Sequence, residues 1–298
     1  MSTKSLGHKR MGRFSIPKAL NYLFVSLLAL GCALPLILVL VVSFTSNDAI
    51  RRNGYQFIPE ELSIAAYRII FSPRSAVIPA YGVSFIVTIM GTLAAMLITG
   101  MAAFALANKS VAKRNTLAVF FFIPMVFNAG LVPWYMMCRN LGLTDSIFAL
   151  IVPGLMFSPF NLFLCRNYMN TIPDSLLESA KLDGASDVTI AFRIYFPLST
   201  PVLATIALFY GVAYWNDWFN AIMLLNDNKL YPLQYMLFKL QSEIDALRRL
   251  DPMVPVRSLP GESLKMATTI ATIGPIIFLY PYLQKYFVKG LIIGGVKG

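Results

Sequence analysis

Between Ala19 and Asn47 the chain carries no charged residue, and that run constrains the fold more than any other feature. A helix of about 20 apolar residues crosses the roughly 30 Å hydrocarbon core of a bilayer. A secretory leader has an apolar stretch of only about 7–15 residues and a cleavage site. The run is too long for a leader and reads as an uncleaved first span at 20–44. Gly31-Cys32 faintly resembles a lipoprotein site, yet the apolar run continues to Val42. Comparable stretches recur at 80–107, 116–137, 146–165, 200–225 and 266–286. The expectation is an all-α polytopic membrane protein with six transmembrane helices. A tail at 1–19 precedes a membrane domain at 20–288, and a second tail covers 289–298.

Composition agrees. Hydrophobic residues make up 57% of the chain and charged residues 13%, whereas soluble domains carry roughly 25% charge. A net charge of +11 would suggest a nucleic-acid partner in a soluble protein. Here basic residues held on the inner side of a membrane explain it, and no nucleic acid is expected. Lys109, Lys113 and Arg114 fill a short loop, and Lys4, Lys9, Arg10, Arg13 and Lys18 fill the first tail. Arg51, Arg52, Arg68 and Arg74, with the basic residues of 226–265, are diluted over long loops that translocate with less regard to charge. Both termini and the polar segment 166–199 are therefore expected in the cytoplasm, with 45–79 and 226–265 as external loops. In 226–265, Arg248, Arg249 and Arg257 stand beside Asp245 and Asp251, which suits a solvated or docking surface.

Local signals refine the spans. Gly91, Ala94, Ala95, Gly100, Ala102 and Ala103 allow close helix contact in the second. Pro124 and Pro133 are expected to kink the third, where Trp134 suits a packing or interfacial role, and Thr144 suits the cap of the fourth. Cys32, Cys138 and Cys165 lie in or beside apolar runs without a CxxC pair, so they read as packing residues.

Between the fourth and fifth spans lies Thr171–Pro197, a polar stretch with the pattern of two short helices. Pro173 suits a first turn, with Thr171 or Asp174 as cap. Leu176, Leu177 and Ala180 form one apolar face, and Gly184 suits a left-handed stop. Asp187 opens the second helix, which runs to Pro197. In the fifth span, Tyr210, Tyr214, Trp215, Asn216, Asp217, Trp218 and Asn220 combine aromatic planes with amide and carboxylate groups. Such groups suit sugars, and they also suit an aromatic belt at the membrane interface. An acid within a span costs about 2.5–3.5 kcal/mol on insertion scales, so Asp217 should face a cavity, a partner or the interface.

Glu178-Ser179-Ala180, Gly184 after three residues, Ile194 after nine more, and Pro197 resemble the EAA signature of importer-type ABC transporter permeases. Ser179 replaces an Ala and Phe196 a Leu. Trp215-Asn216-Asp217 and the closing Gly294-Gly295-Val296-Lys297-Gly298 are similar to the maltose-type carbohydrate permeases, among them oligosaccharide and alginate importers. The resemblance implies the type I importer fold. It makes Glu178, Ser179, Ala180, Lys181, Asp183, Gly184, Ile194 and Pro197 a coupling surface for a cytoplasmic ATPase dimer. Glu178 and Lys181 would pair at its rim, and Gly294, Gly295 and Lys297 would reach the ATPase from the C-terminal tail. It also implies a second, homologous permease subunit, an external solute-binding protein and surrounding lipid.

The chain has no GxxxxGK[ST] loop, so ATP and Mg belong to the partner ATPase, and this subunit is expected to bind no cofactor. His8 is the sole histidine. Neither zinc chemistry nor a Ser-His or Cys-His pair can be assembled, and no enzyme or metal site is expected. The alternative is a stand-alone secondary transporter or channel, which needs intramembrane ionisable groups for ion coupling. Asp217 is nearly the only candidate.

Overall fold

Helix α1 (Ile16–Ser43) forms from the charge-free run and continues through Pro35. A computed structural model of the protein describes residues 16–73, 75–250 and 261–277. Gly294, Gly295 and Lys297, most of the N-terminal tail and the second half of the expected sixth span lie outside the described residues.

The expected connection at 45–79 is folded. Thr45 and Leu62 form an isolated antiparallel bridge, and two short helices follow, α2 (Asn47–Asn53) and α3 (Ala65–Ile70). Ser46 caps α2 by accepting from the Ala49 amide at 3.1 Å and donates to Glu61 at 2.8 Å. Arg52 donates to the other Glu61 oxygen at 2.8 Å. Together they hold the Glu61 carboxyl below the usual carboxylate range, Ser46 contributing most.

Helix α4 (Val77–Ala107) is the centre of the bundle. In the most apolar window of α4 28% of residues are buried, against 6% for α1, so α1 stands off the packed core. The small residues of α4 act as expected. A Cβ on Gly91 would meet the Tyr214 ring at 2.5 Å, and one on Gly100 would meet the Phe196 ring at 2.9 Å.

The third and fourth expected spans are broken. Helices α5 (Arg114–Val126) and α6 (Leu131–Asn140) cross at 116°, so 116–137 is two helices rather than one kinked at Pro124 and Pro133. Gly130, at φ +85°, makes the turn. Helix α7 (Phe148–Ile151) is a single turn with no side-chain cap from Thr144. Chain without helix follows, and α8 (Pro159–Met169) starts at a Ser158 cap with Pro159 in its first turn.

The polar segment folds as α9 (Asp174–Leu182), α10 (Asp187–Ile190), a π-helical turn at Ala191–Tyr195, and α11 (Phe196–Leu198). Helix α12 (Thr200–Trp215) leaves it at 87°. The fifth span is also interrupted, resuming as α13 (Phe219–Leu224). In the expected external loop, α14 (Leu233–Leu250) is an 18-residue helix that composition alone does not suggest. Helix α15 covers 262–277. Among the described residues two helices, α1 and α4, are long and apolar enough to cross a membrane alone, and up to four segments qualify if each bent pair is one span. No strand occurs among the described residues. The architecture is that of an all-α polytopic membrane protein.

Between α6 and α7, Asp145 ties the turn to the chain after α13. Its carboxylate accepts from the side chain and amide of Asn226, and from the Asp227 amide at 3.1 Å. These bonds, the Asn226 side chain foremost, hold its carboxyl below the usual range. A depressed folded-state pKa favours the fold above the ordinary Asp value of about 3.9 and loses that contribution as pH falls through the lowered value. Hydrogen-exchange protection at Asn226 and Asp227 is expected to drop on acidification below that range, and to lose this pH dependence in Asp145→Asn. For Gly91→Ala the added methyl meets the Tyr214 ring, so a loss of about 1–3 kcal/mol is expected. Gly82, with nothing within 4 Å of an added Cβ, is the control, and thermal unfolding in detergent distinguishes the two.

Candidate functional site

The polar segment presents the signature residues around one hollow. Leu177 and Ala180 bury one face of α9 while Glu178, Ser179, Lys181 and Asp183 stay exposed. Pro173 occupies the cap position without a side-chain bond, and Thr171 instead donates to the Tyr168 carbonyl at 2.8 Å, closing α8. Helix α9 ends as the sequence expects. Gly184 sits at φ +79°, its amide bonds to the Lys181 carbonyl, and the Ala185 amide bonds to the Ala180 carbonyl. This paired closure favours glycine at the left-handed position. Ser186 then caps α10 through the Thr189 amide at 3.2 Å.

Ser179, Ala180 and Asp183 from one arm, with Ile194 and Pro197 from the other, line an exposed hollow of about 410 Å³ together with Leu176, Arg193 and Leu198. Five of the eight expected coupling residues therefore meet in one concave surface. Gly184 shapes the corner beside it, and Glu178 lies exposed on α9. Lys181 does not serve as a rim partner of Glu178; it lies 3.6 Å from Asp187 and donates to Ser110 at 3.0 Å. Exposed Leu182 and Val188 stand on the same segment, a mix of apolar and charged groups that suits a protein partner.

The expected pathway residues divide into two groups. Tyr210, Tyr214, Trp215 and Asn220 are buried, with polar atoms turned to protein. The Tyr210 hydroxyl pairs with Thr99 at 2.7 Å and accepts from the Ser158 amide at 3.1 Å. Tyr214 donates to the Ile151 carbonyl at 2.8 Å, and Asn220 donates to that of Pro153 at 3.1 Å. Trp215 donates to the Thr272 carbonyl at 3.1 Å. Two of these partners, Pro153 and Ser158, lie in the non-helical stretch between α7 and α8, and Ile151 ends α7; backbone groups at membrane depth must be satisfied internally.

Asn216, Asp217 and Trp218 occupy the break between α12 and α13. One Asp217 oxygen accepts from the Phe219 and Asn220 amides at 3.1 and 3.2 Å, capping α13, while the other is buried without a partner. Asn216 accepts from Gln234 at 2.8 Å. Trp218 stacks on Phe238 with centroids 4.6 Å apart, and Phe219 meets Trp134 at 5.6 Å. Phe238 and Gln234 are neighbours that the sequence reading missed. The signal was the recurrence of Leu233, Met236, Leu237, Leu240, Ile244 and Leu247 at helical spacing.

The fold and this arrangement define a polytopic membrane permease with an exposed polar elbow between its fourth and fifth segments. The chain belongs to the binding-protein-dependent transport system inner membrane component family, whose profile matches residues 100–293. It is 36% identical over 280 residues to the polygalacturonan/rhamnogalacturonan transport system permease protein YtcP of Bacillus subtilis, covering 94% of this chain and 97% of that protein. To the arabinooligosaccharides transport system permease protein AraQ of Halalkalibacterium halodurans it is 27% identical over 283 residues, covering 94% and 95%. A bacterial ABC transporter involved in the import of the acidic polysaccharide alginate superposes with a TM-score of 0.80 at 29% identity, over 93% of this chain and 100% of the matched chain. These relatives favour a transport-system subunit over a stand-alone secondary transporter or channel.

The buried group is open to test. Asn220→Leu leaves the Pro153 carbonyl unpaired and should cost about 1–3 kcal/mol, with Tyr210→Phe in the same direction. Thermal unfolding of the purified subunit checks this; unchanged unfolding with lost transport would assign these side chains to the pathway alone.

Proposed function

We propose that the protein is the permease subunit forming half of the translocation pathway of an ATP-driven importer for an oligosaccharide, with acidic sugars the favoured class. The observation that carries the coupling role is the hollow built by Ser179, Ala180, Asp183, Ile194 and Pro197 on an elbow lying across α12. A projection of a cytoplasmic ATPase subunit held there would turn ATP-driven closure into rotation of the attached helices. Only a difference in ATPase affinity between two permease conformations can drive that switch. ATP and Mg reside in the ATPase dimer, and this chain is non-catalytic. Gly294, Gly295 and Lys297 of the C-terminal tail are proposed to reach the ATPase dimer as well.

The sugar class is supported by the substrates in the names of the relatives, polygalacturonan, rhamnogalacturonan, arabinooligosaccharides and alginate. Asn216, Asp217 and Trp218, at the break of the fifth span, are the side chains proposed to meet sugar. Tyr210, Tyr214, Trp215 and Asn220 hold that break in place from behind. A second permease completes the pathway, and an external solute-binding protein delivers the sugar. The protein resides in a bacterial inner membrane among lipid, with both termini and the elbow in the cytoplasm, as the short basic loops favour.

An ATPase subunit is expected to accompany the protein through detergent purification, and uptake should require ATP. Gly184→Phe forces a side chain into a left-handed position beside the hollow, at a local cost of about 1–2 kcal/mol. It should insert normally yet lose ATP-driven uptake. Wild-type uptake in that variant, or transport by the purified chain alone, would refute the reading.

A further inference from the structure

The turn between α4 and α5 grips the coupling elbow at two points. Lys109 forms an ion pair with Asp174 in the first turn of α9. From the last turn of α9, Lys181 reaches back to Ser110 at 3.0 Å. The turn itself is fixed locally: Asn108 is buried and accepts from the Ser110 amide at 2.9 Å. The Val111 amide bonds to the Asn108 carbonyl at 3.2 Å. Beneath it, Phe104 meets Tyr195 edge-on at 4.9 Å, and Gly100 receives the Phe196 ring. The turn after α4 thus touches the first arm of the elbow, and the last turns of α4 touch the second.

The other end of α4 is tied to the opposite side of the bundle. Ser84 accepts from the Leu233 amide at 2.8 Å, at the start of α14, and Tyr81 donates to the Ala271 carbonyl in α15. An uninterrupted helix of 31 residues joins the two sets of contacts, roughly 45 Å at 1.5 Å per residue.

We propose that the α4–α5 turn is a second attachment of the coupling elbow, with Lys109 and Ser110 as positioning residues that make displacement of α9 move α4 directly. Helices α8 and α12, linked to the elbow by the chain, would then share the work with α4, which carries it on to α14 and α15. The inference rests on the coupling role proposed above. Exposed ion pairs add little to folding, so the effect belongs in coupling rather than stability.

The test uses the full complex, with its partner permease, ATPase and solute-binding protein, in proteoliposomes, reading sugar imported per ATP hydrolysed. Lys109→Asp and Asp174→Lys should each lower that ratio by about 2- to 30-fold, the range for residues that modulate coupling. The double reversal should restore most of it. Ratios unchanged in the single variants, or no rescue in the double, would overturn the inference. A second measurement serves if the reversals do not assemble. Ser110→Cys with Lys181→Cys, in a chain with Cys32, Cys138 and Cys165 replaced, is joined by a short cleavable thiol cross-linker. Sugar imported per ATP, lowered in the unlinked pair, should rise when turn and helix are joined and fall again on cleavage; a ratio that falls or stays unchanged on joining would overturn it. An ATPase missing from the wild-type complex would instead overturn the coupling reading itself.

Discussion

Backbone groups in hydrocarbon have no water to turn to, and leaving one unpaired costs several kcal/mol. The chain between α7 and α8 is not helical, and the bundle is arranged around satisfying it. Tyr214 takes the carbonyl of Ile151, which ends α7, while within the stretch Asn220 takes the Pro153 carbonyl and Tyr210 the Ser158 amide. All three come from α12 or α13, so the break in the fourth segment fixes the rotation of the fifth. Tyr214 lies against α4 only because Gly91 leaves room for its ring. A missing side chain on one helix thereby determines where another can place a hydroxyl.

The same economy of small residues continues toward the elbow. Phe196, which stands where the family signature has Leu, is accommodated by Gly100 of α4. The π-helical turn at Ala191–Tyr195 precedes the bend, and Ser199, buried with its hydroxyl unpartnered, marks the corner itself. A π turn and a bend in succession are poor packing but a workable joint, and such turns concentrate at functional sites. Aromatic contacts between Phe104 and Tyr195 keep the joint attached to α4 while its outer face remains open.

Much of this was legible in the sequence because it depends on local rules. The charge-free runs gave away the class, Gly184 the helix stop, Asp187 the second arm, and the small residues of α4 its central place. The spacing of Glu178, Ala180, Gly184, Ile194 and Pro197 located the elbow before any geometry. The misses share a different cause. Hydropathy averages over windows, so the 116° break at Gly130 and the interruptions before Pro159 and at Asp217 were smoothed into continuous spans. Helix α14 was hidden by mixed charge, although its apolar residues recur at helical spacing. That the Tyr210 and Tyr214 hydroxyls bond to protein was not legible either, because residue type cannot tell which way a hydroxyl points. Lys109 and Ser110 meet residues more than sixty positions away, and no local pattern reports that.

The distribution of breaks bears on how such a bundle can move. Helix α12 is bent at Ser199 and interrupted after Trp215, the third segment is folded back on itself, and the fourth is helical only at its ends. Each break is a place where dihedral angles can change at low cost, as hinges require. Helix α4 has none, and its contacts run to the elbow at one end and to α14 and α15 at the other. A segment with hinges at both ends absorbs a displacement, whereas one without hinges passes it on. On that ground α4 would be the stiff member in the coupling proposed above, with Tyr214 and Phe196 seated against it at Gly91 and Gly100.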